Sequence, residues 1–493
     1  MILLKDITWA YQGGGTTVLD GLNLHVRQGE TVVLCGPSGS GKSSALRLMN
    51  GLIPHFHEGT LEGEVRVAGE PITDLAQVGR VTGTVLQHPR RQFFTDAVES
   101  ELAFGLENVG TPPQRIRDRV TEVVDEFGLR ELTGQLRELS GGQQQRVACA
   151  AAVTHGPPLV LFDEPTSNLS PQAILELTGV LRHLQGLGAT IVIAEHRLHY
   201  LRELADRIVV IQNGRVDKEW TRAEFGGLTE EVLRAEGLRG LDEPERPAVA
   251  PAFAHGPSIV PAETWPRATA LVGGARGRTA GVSAAGPAAA SAGVVLRGLR
   301  CAFRGRLTLD IVEAHLPAGA ITALTGPNGV GKSTLARILA GLQRHSGHVL
   351  LEGRPLSRSQ RQRETAIVMQ DVQRQLFTDS VDAELRLGAN PDHADHAATV
   401  LADLGLNGLG ERHPLSLSGG QQQRLVVATA RLSGRRIVIF DEPSSGVDRR
   451  HLQSMTQAMR DVAAAGAVVL LISHDADLLT LAADRELRLR PIR

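Results

Sequence analysis

The sequence predicts an α/β chain built as a tandem duplication, each copy centred on a mainly parallel sheet. Three observations predict it. The first is that four short motifs occur twice, in the same order, along the 493 residues. GPSGSGKS (Gly36–Ser43) returns as GPNGVGKS (Gly326–Ser333), LSGGQQQR (Leu139–Arg146) returns unchanged at Leu417–Arg424, FDEP (Phe162–Pro165) returns at Phe440–Pro443, and a histidine closing an apolar run appears at His196 and His474. The second is register: Ser140 to Ser418, Asp163 to Asp441 and His196 to His474 are each 278 residues apart, whereas Lys42 and Lys332 are 290 apart, so the first copy has a longer segment between its first two motifs. Agreement of this kind is the mark of a repeat. The third is local pattern. PLVLFDE, RIVIFDE, ATIVIAEH and AVVLLISH are short, apolar and rich in β-branched residues, as buried parallel strands are. GEVRVAG and GHVLLEG read as parts of a smaller antiparallel sheet.

Each element follows from this frame. VVLCGPSGSGKSSALRLMNGL and ITALTGPNGVGKSTLARILAGL both read strand, glycine turn, helix. QQQRVACAAAV and QQQRLVVATA read as helices that start just after the LSGG of each copy. Between the copies the composition changes: seven prolines fall between Pro244 and Pro287, and an Ala/Gly/Ser tract follows. The expected organisation is a first domain over 1–238, a flexible Pro/Ala/Gly-rich linker over 239–293 and a second domain over 294–493. Such a linker reaches on the order of 40 Å, enough for the halves to meet face to face, and tethering holds each at a millimolar effective concentration for the other.

Bulk properties narrow the function. Lys plus Arg number 52 against 54 Asp plus Glu, a net charge of −2, which argues against a nucleic-acid binder held by phosphate contacts. Cys35, Cys149 and Cys301 lie far apart, with neither a disulfide nor a zinc pattern, and fit a reducing compartment. No apolar run approaches the roughly 18–20 residues that cross a bilayer, and MILLKDITWAY lacks the features of a signal peptide. A membrane role is therefore expected to run through partners.

The glycine-rich motifs carry the chemistry. G-x-x-x-x-G-K-S between strand and helix lets successive backbone N–H groups turn toward phosphates, with the helix dipole adding to them. The candidate phosphate ligands are Gly36, Pro37, Ser38, Gly39, Ser40, Gly41, Lys42, Ser43 and Ser44 in one copy, and Gly326, Pro327, Asn328, Gly329, Val330, Gly331, Lys332, Ser333 and Thr334 in the other. Lys42 and Lys332 neutralise the β- and γ-phosphates of ATP, and Ser43 and Ser333 offer hydroxyls to Mg²⁺. Two adjacent carboxylates at the end of an apolar strand need a cation or a proton to offset them. Asp163 and Asp441 are thus expected at Mg²⁺, and Glu164 and Glu442 at the attacking water.

Ser140, Gly141 and Gly142, with Ser418, Gly419 and Gly420, form a second anion-binding helix start in each copy. One ATP does not need two such starts, so each is expected to serve a nucleotide held by the other half. The plain alternative is an ordinary N-cap. His196 and His474 are expected near the γ-phosphate, and Gln87 and Gln370, closing TVLQ and IVMQ, near Mg²⁺ or the attacking water. Tyr11 and Phe303 stand before each loop, where a ring can stack on adenine or simply pack in the core. His55 and His57 in IPHFHEG have no partner ligands at a metal-binding spacing.

Together these residues resemble the ATP-binding cassette (ABC) family, with Walker A, Q-loop, LSGGQ signature, Walker B, D-loop and H-loop in order in both halves. The resemblance covers everything but the linker. It implies two tandem P-loop NTPase domains, each with a mainly parallel core sheet, an antiparallel β subdomain and a helical signature subdomain. It also implies head-to-tail pairing, with Lys42 and Glu164 sharing a nucleotide with Ser418–Gly420, and Lys332 and Glu442 sharing one with Ser140–Gly142. The D-loops differ, SNLS at Ser167–Ser170 against SGVD at Ser445–Asp448. The family usually ends this loop in Asp, so the two sites need not communicate symmetrically.

LQHPRRQFFTDAVESELAFGLEN after Gln87 and GLIPHFHEG resemble a narrower group, the energy-coupling factor (ECF) ATPases of vitamin and metal-ion importers. MQDVQRQLFTDSVDAELRLG keeps that frame with Val372 in place of Pro89. Phe93, Phe94, Leu376 and Phe377 form an apolar element that can dock a helix of a membrane subunit or pack internally. The implied partners are a transmembrane coupling protein and a substrate-binding membrane subunit, with this chain peripheral at the cytoplasmic face. The rival is a soluble tandem-cassette protein acting on ribosomes, a group that typically joins its cassettes through a long charged helix rather than a Pro/Ala/Gly stretch.

Overall fold

The computed structural model describes residues 1–492 apart from 13–16, 133, 168, 242–248, 262–291, 304, 370–371, 391–394 and 445–446. The chain divides into two compact units, Met1–Glu243 with Gly446–Arg450, and Pro244–Ser445 with His451–Arg493.

In the first unit the core sheet runs in the order Arg215–Thr221, Arg207–Gln212, Thr31–Cys35, Thr190–Ala194, Leu159–Asp163, Thr82–Val85. The last five are parallel, and Arg215–Thr221 closes one edge as an antiparallel hairpin. Every residue of Thr31–Cys35 and Thr190–Ala194 is buried. Alternation along a strand sends successive side chains to opposite faces, so these strands feed two cores. Val32, Leu34, Leu161 and Val192 join one with the helix Lys42–Met49 and the antiparallel layer. Val33, Phe162, Ile191 and Ile193 join the other with the helices behind. Covering both faces is what makes these runs uniformly apolar rather than alternating.

The antiparallel layer has the order Thr17–Val26, Ile2–Tyr11, Gly59–Val67, Glu70–Pro71. A helical subdomain with Val98–Asn108, Pro113–Glu126 and Gly141–Val153 follows the core strand Thr82–Val85.

The second unit repeats the plan. Its core order is Ala250–Pro251, Arg485–Arg488, Ile321–Thr325, Val468–Ile472, Ile437–Asp441, Thr365–Val368, all parallel. Its second sheet is Ala254–His255, Arg306–Pro317, Gly293–Phe303, Ser346–Leu351, Arg354–Pro355, antiparallel throughout.

One edge of each sheet in this unit comes from the stretch read above as linker. Ala250–Pro251 takes the edge that the hairpin strand Arg215–Thr221 takes in the first unit, and Ala254–His255 extends the antiparallel sheet. Ser258 is fully buried: its N–H donates to Asp310 O at 3.0 Å, its Oγ accepts from Asp310 N at 2.7 Å, and its carbonyl accepts from Arg490 N at 2.9 Å. This segment is a strap on the second unit. Pairings of two residues amid Pro and Ala leave no period to read in the sequence. Residues 262–291 of the same stretch lie outside the described residues. Among the described residues no helix is long and apolar enough to cross a membrane.

Candidate functional site

In the first unit the loop Gly36–Gly41 joins the strand Thr31–Cys35 to the helix Lys42–Met49, whose first turn carries Lys42, Ser43 and Ser44. The loop passes so close to the sheet that side chains are excluded: a Cβ on Gly36 would stand 2.1 Å from Ile211 O, and one on Gly326 2.5 Å from Leu489 O. Both have φ near +135°, at 134° and 137°. Lys42 is 4% exposed, and its ammonium donates to Gly36 O at 3.0 Å and Pro37 O at 2.9 Å. Lys332 does the same to Gly326 O at 2.8 Å and Pro327 O at 3.1 Å. Burial pulls both lysine pKa values down, opposed by Glu164 in one unit and Glu442 in the other. Each amine thus sits curled at the centre of its loop, where an anion would compete for it.

The carboxylates end their strands beside this loop. Ser43 Oγ donates to Asp163 Oδ1 at 2.9 Å. Burial, then the charge of Glu164, pushes Asp163 up to about 6, with the Ser43 bond pulling the other way. Burial likewise raises Asp441, and a hydrogen bond from Ser333 lowers it. Glu164 and Glu442 have φ of 45° and 52°, rare for residues with a Cβ. Their N–H groups donate to Ala194 O at 2.8 Å and Ile472 O at 2.9 Å. The same left-handed backbone thus recurs at the matching place in both units.

Around Glu164 the first unit gathers two further predicted residues. Gln87 Nε2 donates to Glu164 Oε2 at 2.8 Å, and His196 Nε2 stands 3.5 Å from Glu164 Oε1. Burial would raise the Glu164 carboxyl; His196 and the charge of Lys42 outweigh it and hold it below its usual range. Burial and Lys42 push His196 down, so its ring is neutral. His196 Nε2 thus faces Glu164, whereas the buried Ser40 hydroxyl has no hydrogen-bond partner among the described residues, an orphan of the kind a bound ligand can satisfy. In the second unit His474 Nε2 lies 3.0 Å from Asn328 Oδ1 and 3.8 Å from Glu442 Oε1. Gln370 lies outside the described residues.

Other predicted residues are held by their own surroundings. Ser140 and Ser418 form capping boxes on Gly141–Val153 and Gly419–Leu432, each hydroxyl accepting from its N3 glutamine, Gln143 or Gln421, at 3.4 Å. A Cβ on Gly142 would meet Ala173 Cβ at 2.8 Å, so close helix packing is one reason for glycine there. The Tyr11 hydroxyl bonds Ser44 Oγ and Arg47 at 3.0 Å each, and its ring makes edge contacts with Trp9 and His57. Phe303 is 64% exposed at the end of its strand. Phe93 and Leu376 turn inward, while Phe94 and Phe377 project, 74% and 75% exposed.

Three carboxylates escaped the sequence reading. Glu101, 4% exposed, accepts from Phe94 N, Thr95 N and Thr95 Oγ1 at 2.8–3.0 Å. Glu384 repeats this with Phe377 N, Thr378 N and Thr378 Oγ1 at the same range. The recurring Thr-to-Glu spacing of six residues was the available signal. The third is Glu195, beside His196.

Among the described residues there is no group of three or more His, Cys, Asp or Glu suited to a metal. Mg²⁺ does not need one, since it binds one or two protein oxygens together with substrate phosphates. Ser43 Oγ and Asp163 Oδ1 lie side by side, hydrogen-bonded at 2.9 Å, and are oxygens of the kind that would hold Mg²⁺. The residues present fit Mg²⁺ and a triphosphate.

A family model described as ABC transporter matches residues 19–167 and 309–445. A protein of Treponema denticola described as an ABC transporter ATP-binding protein is 38% identical over 99% of this chain and 95% of its own length. YkoD of Bacillus subtilis, provisionally described as an HMP/thiamine import ATP-binding protein, is 31% identical over 98% of this chain and 89% of its own. Among solved structures, cbiO1 from Clostridium perfringens, part of the ABC transporter complex cbiONQ, aligns with a TM-score of 0.42 at 29% identity. It covers 48% of this chain and 93% of that one.

Proposed function

We propose how this chain works from one premise: it belongs to the family of ABC transporter ATP-binding proteins. It is an ABC ATPase with two cassettes, and we propose that it is the motor of an ECF-type importer, taking up a vitamin or a metal ion. The observation that carries the chemical part is the cluster of Lys42, Ser43, Asp163, Gln87, Glu164 and His196 beside one glycine loop.

In this reading Lys42 and the loop amides hold the triphosphate. Ser43 and Asp163 hold Mg²⁺, which when bound neutralises charge on the phosphate oxygens. Glu164, ionised at neutral pH, orients and accepts a proton from the water, with Gln87 fixing its outer oxygen. The neutral His196 donates toward the γ-phosphate position. Lys332, Ser333, Asp441, Glu442, His474 and Gln370 take the same roles in the second cassette. Ser140–Gly142 and Ser418–Gly420 complete the nucleotide site of the opposite half; the supporting point is an anion-binding helix start beyond what one nucleotide per cassette requires.

Three facts support the importer reading: the stretch after Gln87, the description of YkoD, and the aromatic side chains that Glu101 and Glu384 hold outward. An exposed ring on a braced loop suits docking by an apolar helix of a membrane subunit. The chain then sits peripherally at the cytoplasmic face. Affinity purification from detergent extracts tests this. Small multi-span membrane proteins should be retained, and recovery of the chain with ribosomal particles alone would contradict it.

A further inference from the structure

The residue before the site histidine differs between the copies, Glu195 in one and Ser473 in the other. Glu195 is 2% exposed, and a carboxylate so buried must be met by donors. Oε1 accepts from His196 N at 2.7 Å and Arg197 N at 3.1 Å. Oε2 accepts from Thr166 Oγ1 at 2.7 Å, Thr166 N at 3.3 Å and the Tyr200 hydroxyl at 3.1 Å. Arg197 Nη1 adds a bond to Thr166 O at 3.2 Å. Two donors thus belong to the loop carrying His196 and two to Thr166, two residues after Glu164. One buried side chain clamps the loops that bring His196 and Glu164 together.

The second unit does this differently. Ser473 Oγ accepts from Asp475 N at 3.0 Å and lies 3.4 Å from Glu442 Oε2. The His474 N–H donates to Glu442 Oε2 at 3.2 Å. There the site glutamate itself holds the histidine loop, whereas in the first unit the corresponding N–H goes to Glu195.

We propose that Glu195 is a positioning residue for ATP hydrolysis: it holds the His196 loop so that both oxygens of Glu164 remain directed to Gln87, His196 and the reacting water. This rests on the assignment of Glu164 above. A serine here, as in the second copy, transfers the His196 N–H to Glu164 and slows the chemical step without weakening nucleotide binding.

The test uses the full chain carrying Glu442→Gln, so that the remaining turnover reports the Glu164 site. Glu195→Ser should lower kcat about 10-fold while KM for ATP stays within about 2-fold, and Glu195→Gln should restore most of the loss. Thr166→Val, which keeps the bulk and removes one donor, should lower kcat about 3-fold, and it decides the matter if Glu195→Ser proves unfolded in a melting experiment. Unchanged kcat in these variants, or a rise in KM alone, overturns the inference. Glu164→Gln in the same background is the separate control: if it leaves turnover intact, the assignment of Glu164 fails instead.

Discussion

The side-chain amide of Gln87 donates to the carboxylate of Glu164 across 2.8 Å, joining the first core edge strand to the tip of its neighbour. Gln87 also begins the stretch that leads to the exposed Phe94. A shift at the proposed docking loop would therefore have a short covalent path to the residue proposed to handle the water. Gln87→Ala should lower kcat about 10-fold with KM for ATP within about 2-fold, because it removes an orienting bond and no phosphate contact. Steady-state ATP hydrolysis checks it; a large KM effect with normal kcat would count against this role.

The docking loops give a paired prediction. Glu101→Ala strips three hydrogen-bond donors of a buried acceptor and should cost about 1–3 kcal/mol of stability. Phe94→Ala removes a ring that is 74% exposed and stacked on Phe104 at 4.6 Å. It should leave the melting midpoint nearly unchanged yet release the membrane partner in co-purification. Equal retention of that partner by Phe94→Ala and the parent chain contradicts the docking role.

The strap on the second unit makes Gly256 sensitive. Its φ is 145°, and a Cβ there would stand 2.7 Å from Val312 N and 2.8 Å from Asp310 O. Gly256→Val should lift the strap and destabilise that unit by about 2–4 kcal/mol. Hydrogen exchange read in Arg306–Pro317 should rise, while the strand Ile2–Tyr11 stays protected. Unaltered exchange in Arg306–Pro317 would show that the strap contributes little.

Acid sensitivity follows from three histidines. Burial lowers the pKa of His155, His196 and His345 below 6.5. The unfolded chain takes up these protons near pH 6.5 while the folded chain resists them, so stability is lost as pH falls below 6.5 toward the folded values. Between pH 7.5 and 5.5 the parent should therefore lose more of its melting midpoint than His155→Phe does, whatever the opposing gain from the raised carboxyl of Asp163. An equal or smaller loss in the parent contradicts this sign.

How much was legible in the sequence follows from which physics left a periodic trace. The loops at Gly36 and Gly326 and the strands before Asp163 and Asp441 were plain, because close backbone approach and burial on both faces restrict residue type sharply. Gln87, Glu164 and His196 were identified singly, and the fold sets the side chains of Gln87 and His196 2.8 and 3.5 Å from that of Glu164. The strap was hidden because, apart from that of the Ser258 hydroxyl, the bonds described for it come from its backbone groups, in a stretch chosen neither for strand nor for helix. Glu101, Glu195 and Glu384 were hidden for a different reason. A buried carboxylate satisfied by backbone N–H groups looks, in sequence, like any solvated acid on a helix or loop. Tyr11 was left between adenine stacking and packing, and its hydroxyl proves bonded to Ser44 and Arg47.

The most direct test of the whole account is steady-state ATP hydrolysis by the full chain, alone and with the proposed membrane partners, in Glu164→Gln, Glu442→Gln and the double variant. Glu164→Gln should lower turnover at least several-fold, Glu442→Gln should lower it measurably but less, and the double variant should bind ATP with near-normal affinity while its turnover falls about 100-fold or more. Retention of parental turnover by the double variant would contradict the account, because hydrolysis would then not depend on the carboxylates at the ends of the two core strands.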